Sequence, residues 1–463
     1  MYKEQKPRSP LPKLIALCGL LIFFILGINA VRVLQREMVQ PPIPNLAVKQ
    51  PEQRPTIPRP TTKRPAVQDI ISNSEQRKLP KSVLSKERLY SKYWPKGFSL
   101  YRYRWTRNAT LFVAEMDRNA DNLRFDVELS NSQILRRETV TSATRRLKRE
   151  GIKPHAGVNG SFGIREDSYG RGGMIFNLHI QDGELVSIPI LLDRWGFSPP
   201  SPWGETSFGV APDGEFLLDA VRLNGTIKID NHNLRISAIN QICDSYCPAV
   251  LYTPRFGRTT LTRRCYEFTL KKLTLPLTGK YNSQFVVTAV NPRGNSVIPP
   301  DAVVLAIAPG SGRSWYQRLK QGTNGTLEIA LTPEKWQTVK TGIGGNLRIL
   351  RNGKIEPELV KFRNSRGSSA YSHGNASQRH PRSALGFSDD KLFLIVVDGR
   401  RPGHSMGMTL YEMADFFSDI GIKHAINFDG GSSSALWALG DIVNRPAHDY
   451  ERPIFNVALI REK

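Results

Sequence analysis

Two aspartates are the first residues in this chain whose types and placement suggest chemistry. Asp398 follows the apolar run Leu392–Val397, Asp429 follows His424–Phe428, and a glycine comes after each. A carboxyl pair can act as acid and base, or as acid and nucleophile, when its environment keeps one member protonated and the other ionised. Glycoside hydrolysis uses such a pair at roughly 5–9.5 Å. Asp-Gly is also a common turn signal, as at Asp182-Gly183 and Asp213-Gly214, so each aspartate alone also reads as a turn. Basic groups surround both. Arg379-His380-Pro381-Arg382 precedes the apolar run, and Arg400-Arg401-Pro402-Gly403-His404-Ser405 follows Asp398. Arginine suits two-pronged phosphate contacts, although a solvated basic loop has the same composition. Gly430-Gly431-Ser432-Ser433-Ser434 can turn N–H groups and hydroxyls toward an anion, or form a flexible turn. Asn159-Gly160 could offer an amide to a sugar hydroxyl or cap a turn. Glu412 is accounted for by a helix cap.

These groups need elements that bring them together. Leu392–Val397 is continuously apolar, as in a strand buried on both faces. Thr409 and Glu412 form a capping box, in which hydroxyl and carboxylate each satisfy a free backbone N–H. Leu410, Met413, Ala414, Phe417 and Ile420 then fall on one helical face, and Gly421 stands where a glycine ends a helix. His424–Phe428 is the second strand. Strand, helix and strand make a crossover, so the two strands should run parallel in one sheet. If adjacent, they lie ~4.8 Å apart and present both acids at one edge, where open α/β sheets bind ligands. Upstream, Leu111–Leu129 alternates like strands, Thr139–Arg149 reads as a basic helix, and His155–Gly163 reads as a strand breaking into a glycine-rich loop. Residues 175–355 read mostly as sheet. The expected fold class is a mixed α–β (α+β), sheet-rich single catalytic domain with a C-terminal βαβ unit.

Composition narrows the class. The chain has 463 residues, 40% hydrophobic, with 65 Lys+Arg against 41 Asp+Glu, a net charge of +24. It is too apolar to be mostly disordered. The charge admits a phosphate-bearing glycan or an anionic surface as partner. No zinc-finger spacing, RNA-binding aromatic signature or basic heptad supports nucleic acid. Gly-x-Ser-x-Gly, His-Glu-x-x-His and P-loop motifs are absent as well, which disfavours serine hydrolase, zinc protease and NTPase chemistry. Leu14–Val31 is an uncharged run of 18 residues behind Lys3, Lys6, Arg8 and Lys13. It reads as an uncleaved transmembrane anchor, with a cleaved signal peptide as the alternative. The charges put residues 1–13 in the cytoplasm and the rest outside, periplasmic or lumenal. Seven prolines between 41 and 60 mark residues 32–92 as a linker, leaving 93–463 as the catalytic domain. Cys243, Cys247 and Cys265 allow one disulfide, with the partners open.

A further set of motifs occurs in order: Gly157-Val-Asn-Gly-Ser-Phe162, Gly344-Gly345 with Asn352-Gly353, Arg379-His-Pro-Arg-Ser-Ala-Leu-Gly386, Val397-Asp-Gly-Arg400 with Ser405-Met-Gly-Met-Thr409, Asn427-Phe-Asp-Gly-Gly-Ser432, and Asn444-Arg-Pro446. Together they resemble the phosphodiester glycosidase domain family, that of the lysosomal uncovering enzyme and of bacterial relatives linked to exopolysaccharide. The resemblance covers roughly residues 100–461. Ser432 stands where the family usually has a third glycine, Phe428 where leucine is usual, and Gly163 where a second aromatic is common. The resemblance implies cleavage between an anomeric carbon and a phosphate oxygen. Asp398 and Asp429 would be catalytic. Arg379, His380, Arg382 and Arg400 would meet the phosphate, and Asn159, Asn427, Gly430, Gly431, Ser432 and Ser433 would hold sugar and phosphate. No cofactor is implied. A divalent cation beside the acids is conceivable, but no ligand set in the sequence supports one. Competing readings are a non-catalytic module that tethers anionic polysaccharide, and a transferase passing the sugar to an acceptor other than water.

Overall fold

The computed structural model describes residues 79–89, 94–164, 172–189, 206–245, 247–357, 359–360 and 376–463. The described residues fall within the unit Ala66–Lys463. Their strands form two eight-stranded and two five-stranded sheets, and their α-helices are Val140–Arg149, Pro309–Arg318 and Leu410–Asp419.

The site is built on one eight-stranded sheet. Its centre runs Ala109–Asp117, Lys391–Val397, Arg382–Phe387, His424–Asn427, Leu347–Arg351. Lys391–Val397 sends Phe393, Ile395 and Val397 into a core shared with the Leu410–Asp419 helix. Its Leu392, Leu394 and Val396 enter a second core, shared with Val127, Val158, Leu436 and Ile460 of a five-stranded sheet. The outer face of that five-stranded sheet packs Trp437 and Leu459 against Val140, Ala143 and Leu147 of the first helix. The order of layers is therefore helix, sheet, sheet, helix. Continuous apolarity in 392–397 follows from this, because every side chain of the strand has a core to enter.

Two expectations need correction. The fold is not a mixed α–β domain carrying a βαβ unit of adjacent parallel strands. It is a set of mainly antiparallel sheets. Arg382–Phe387 lies between Lys391–Val397 and His424–Asn427 and is antiparallel to both, with Arg382 opposite Val397 and Ala384 opposite Asn427. The turn Ser388-Asp389-Asp390 closes a tight hairpin between 382–387 and 391–397, and the helix then carries the chain over that hairpin. The crossover strands still run the same way, but two strand spacings apart, about 9.6 Å. The membrane placement is also corrected. Among the described residues no helix is long and apolar enough to cross a membrane. Leu14–Val31 and most of the linker lie outside the described residues, and single-pass, extracytoplasmic localisation is withdrawn. Cys243, Cys247 and Cys265 are free thiols in this structure.

One buried acid gives the fold a pH dependence. Glu128 accepts from Gln181 Nε2 at 2.8 Å. Burial, then the charge of Asp126, raises its pKa from 4.5 to about 7. The folded state thus binds this proton more tightly than the unfolded chain. Its contribution is complete below the unfolded pKa and is lost as pH rises through 7. The shift corresponds to about 3 kcal/mol. Glu128→Gln is expected to flatten the fall in stability between pH 5 and pH 9, measured by guanidinium unfolding at each pH. An unchanged slope would exclude Glu128 as its source.

Candidate active site

Asp398 is 1% exposed, and both of its carboxylate oxygens are engaged. Oδ2 meets His404 Nε2 at 2.7 Å. Oδ1 accepts from Asn444 Nδ2 at 3.0 Å and from the Arg445 N–H at 2.9 Å. Ser405 Oγ donates to the Asp398 carbonyl at 2.6 Å and accepts from the Thr110 N–H at 3.1 Å. Burial raises the Asp398 pKa, opposed by the bonds from His404, Asn444 and Arg445. A plain surface turn does not fit here. A Cβ on Gly399 would lie 2.6 Å from Pro381 N, so this step is packed against the start of the 382–387 strand.

His404 reaches Asp398 through a turn written in the sequence. Arg401-Pro402-Gly403-His404 has proline second and glycine third, with Gly403 at φ 79°, the pattern of a type II turn. The His404 N–H bonds the Arg401 carbonyl at 3.0 Å, and Arg401 and Ser405 pair across the turn. The His404 side chain is 28% exposed, whereas that of Asp398 is sealed. Asn444 bridges further, donating to the Ser434 carbonyl at 3.3 Å and accepting from the Leu436 N–H at 2.8 Å. The aspartate–histidine pair and Asn444 were not among the expected site residues. The Pro-Gly turn and the Asn-Arg-Pro motif were the signals for them.

Asp429 lies at the same sheet edge. Its N–H bonds the Gly160 carbonyl at 2.9 Å, and Gly430 N–H bonds its Oδ1 at 2.9 Å. Asn159 Nδ2 donates to its carbonyl at 2.6 Å. Asn159 Oδ1 accepts from Ser383 Oγ at 2.7 Å and from the Ala435 N–H at 3.2 Å. Asn159 therefore clamps three chain segments beneath the edge, and both ends of its amide are in use. Asn427 is buried too, and its Oδ1 has no hydrogen-bond partner among the described residues.

The cations divide into two groups. Arg382 is 2% exposed and donates to the carbonyls of Met408 (3.0 Å) and Gln378 (2.9 Å). Burial, then Arg400, lowers its pKa to about 9, so it stays charged at neutral pH. By register it stands on the strand between the two acids. Arg400 Nη2 lies 3.3 Å from His380 Nδ1. Burial, then Arg382 and Arg400, lowers the His380 pKa. Gly431 sits against Arg400, where a Cβ would lie 3.3 Å from Nη2. Gly430 leads into the short 3₁₀ turn Gly431–Ser433, whose Ser432 and Ser433 are buried. Arg382, Arg400 and His380 thus gather beside the Gly430–Ser433 turn. Arg379 does not join them. Its Nε bonds Glu412 at 3.1 and 3.2 Å, and its Nη1 bonds the Arg107 carbonyl at 2.9 Å.

The capping box on Thr409 and Glu412 is present, and Arg379 completes it. Burial tends to raise the Glu412 pKa, but the bonds from Arg379 and Thr409 prevail and lower it. Glu412→Ala removes the reciprocal cap and the partner of Arg379. The expected loss is about 2 kcal/mol in unfolding free energy, with KM unchanged in any turnover assay. An altered KM with unchanged stability would return Arg379 to the binding site. Among the described residues no group of three or more His, Cys, Asp and Glu is placed to hold a metal ion.

A buried carboxylate bonded to a histidine, a group of guanidinium side chains and a second acid thus lie along one edge of the sheet. The segment of residues 278–461 matches the phosphodiester glycosidase family. It contains every expected site residue except Asn159. A segment of 133 residues is 27% identical to the SPbeta prophage-derived uncharacterized protein YomE of Bacillus subtilis (strain 168), covering 25% of this chain and 20% of the relative. The match thus spans about a fifth of that relative. A hypothetical protein from Synechocystis superimposes with a TM-score of 0.65 at 16% identity, over 82% of this chain and 64% of the other. A putative exported protein from Burkholderia pseudomallei K96243 gives 0.60 at 17% identity, over 79% and 75%. At such identities the two superpositions establish the fold alone.

Proposed function

We propose that the protein hydrolyses the bond between a sugar's anomeric carbon and the phosphate oxygen of a phosphodiester, in phosphate-bearing glycans of the envelope or of exopolysaccharide. The observation that carries this reading is the Asp398–His404 contact at the edge where Arg382, Arg400 and His380 gather. The leaving group is a phosphate monoester, so charge develops on its oxygens, and fixed guanidinium groups stabilise that charge. His404 presents Nε2 to Asp398, which leaves Nδ1 to exchange a proton with water or with the leaving oxygen. Asp398, sealed and fully hydrogen-bonded, orients the imidazole rather than touching substrate. Asp429 is the second acid, acting as base or nucleophile on the sugar side. The family match over 278–461 supports the same reaction class.

The test is release of free reducing sugar from sugar-1-phosphodiesters, with UDP-linked sugars as the first probes, by the purified full chain. Turnover that is abolished in Asp429→Asn supports a hydrolase. Sugar passed to an added glycan instead of water indicates a transferase. Tight retention of phosphorylated glycan with no turnover by the unmodified protein would sink the proposal and leave a binding module.

A further inference from the structure

We infer that Cys243 and Cys265 close a disulfide when the chain folds in the presence of an oxidant, leaving Cys247 out of the bridge. The three spacings in the sequence do not choose between partners, but the fold does. Cys265 immediately precedes the strand Tyr266–Lys271, which pairs with Val303–Ile307 so that Tyr266 faces Ile307. Cys243 comes from a separate loop, yet its Sγ lies 3.5 Å from the Ala306 carbonyl on that same central strand. Cys265 Sγ in turn lies 3.6 Å from the Cys243 carbonyl. Both are enclosed, Cys243 at 8% and Cys265 at 1% exposure. With Cys265 Sγ resting on the Cys243 main chain, side-chain rotation can bring the two sulfurs to the ~2.05 Å of a disulfide bond. Cys247 is placed differently. Its N–H bonds Asp244 Oδ1 at 3.2 Å and its carbonyl accepts from the Asp244 N–H at 3.1 Å, which ties its backbone into a tight turn and leaves it less buried.

The chemistry is thiol–disulfide exchange with a small disulfide such as oxidised glutathione. Cys265, deprotonated by solvent, attacks the small disulfide first. One glutathione thiol departs and a mixed disulfide remains. Cys243 gives its proton to solvent and attacks the Cys265 sulfur, forming the new S–S bond and releasing the second glutathione. Two protein thiols are oxidised and one disulfide is reduced to two thiols. Burial confines this exchange to the period before the segment closes. The bridge joins residues 22 positions apart. It fastens the segment that carries Tyr252 and Phe256 and lines a cavity of about 270 Å³ between Met174, Gln241, Cys243 and Thr260.

The test is oxidative refolding of the full chain from the reduced, denatured state in a glutathione redox buffer. Alkylation with N-ethylmaleimide and mass mapping of an unreduced digest follow. A peptide linking Cys243 to Cys265, with Cys247 alkylated, is expected. The guanidinium midpoint of the oxidised protein should exceed that of the reduced protein by on the order of 0.5 M. Cys247→Ser should keep both the link and the increment, and Cys265→Ser should lose both. A Cys243–Cys247 link, a Cys247–Cys265 link, or alkylation of all three thiols after oxidative refolding would overturn the inference.

Discussion

His404→Gln is expected to slow turnover of a sugar-1-phosphodiester by about 10³-fold, with KM changed less than several fold. Glutamine can still donate an amide hydrogen to Asp398 Oδ2, so the 2.7 Å contact has a replacement and the loop stays anchored. What it lacks is a second nitrogen able to take up and return a proton. The His404 side chain is 28% exposed and borders the sealed Asp398 rather than a hydrophobic core, so the melting temperature should hardly move. Asp398→Asn is the companion measurement. An asparagine amide presented to Nε2 favours the other imidazole tautomer, and an aspartate-to-asparagine change in a comparable triad slows turnover about 10⁴-fold. It also leaves the Asn444 and Arg445 donors facing a neutral group, so Asp398→Asn should lose stability where His404→Gln does not. If His404→Gln keeps more than a tenth of the activity, the aspartate–histidine pair is scaffolding and the proton moves elsewhere.

The difference between those two variants reflects what the sequence could convey. The helix Leu410–Asp419 was legible because its cap, apolar face and terminal glycine are local signals that agree. Lys391–Val397 was legible because a strand with a core on each face has no polar position to hide it. Arg382–Phe387 was not. Arg-Ser-Ala-Leu-Gly-Phe shows neither alternation nor continuous apolarity, yet all six residues are buried. Its polar members are satisfied by partners distant in sequence, Ser383 by Asn159 and Arg382 by the Met408 carbonyl. Missing that strand turned an antiparallel sheet into a supposed parallel pair. The sheet edge itself survived the error, because inserting one antiparallel strand leaves its two neighbours running the same way. Arg379 shows the opposite limit. In sequence it belongs with His380 and Arg382, but the next strand begins at Arg382, and the chain direction before it delivers Arg379 to the helix cap instead. His404 and Asn444 reach Asp398 from six and 46 positions away. The first was within reach of turn chemistry. The second was marked only by the Asn-Arg-Pro motif, and its pairing with Asp398 is long-range.

Asp429→Asn carries the largest expected effect: turnover should slow by about 10³-fold or more, equivalent to about 4 kcal/mol of transition-state stabilisation. The main-chain bonds of the turn survive the substitution. The turn is held by the main chain of residue 429, which donates to Gly160 and accepts from Asn159, and neither bond involves the carboxylate. The Gly430 N–H bonds Oδ1, an atom that asparagine also possesses. Charge and basicity are therefore removed while these three bonds are kept. Because Arg382, Arg400 and His380 are untouched, inorganic phosphate should bind within several fold of the unmodified affinity, and removing a nearby negative charge biases any change toward tighter binding. Calorimetric titration with phosphate, run beside the turnover assay, separates the two effects. A loss of phosphate binding parallel to the loss of turnover would mean that the turn had collapsed. A loss of turnover below tenfold, with phosphate affinity intact, would leave Asp429 as nothing more than the first residue of an Asp-Gly turn.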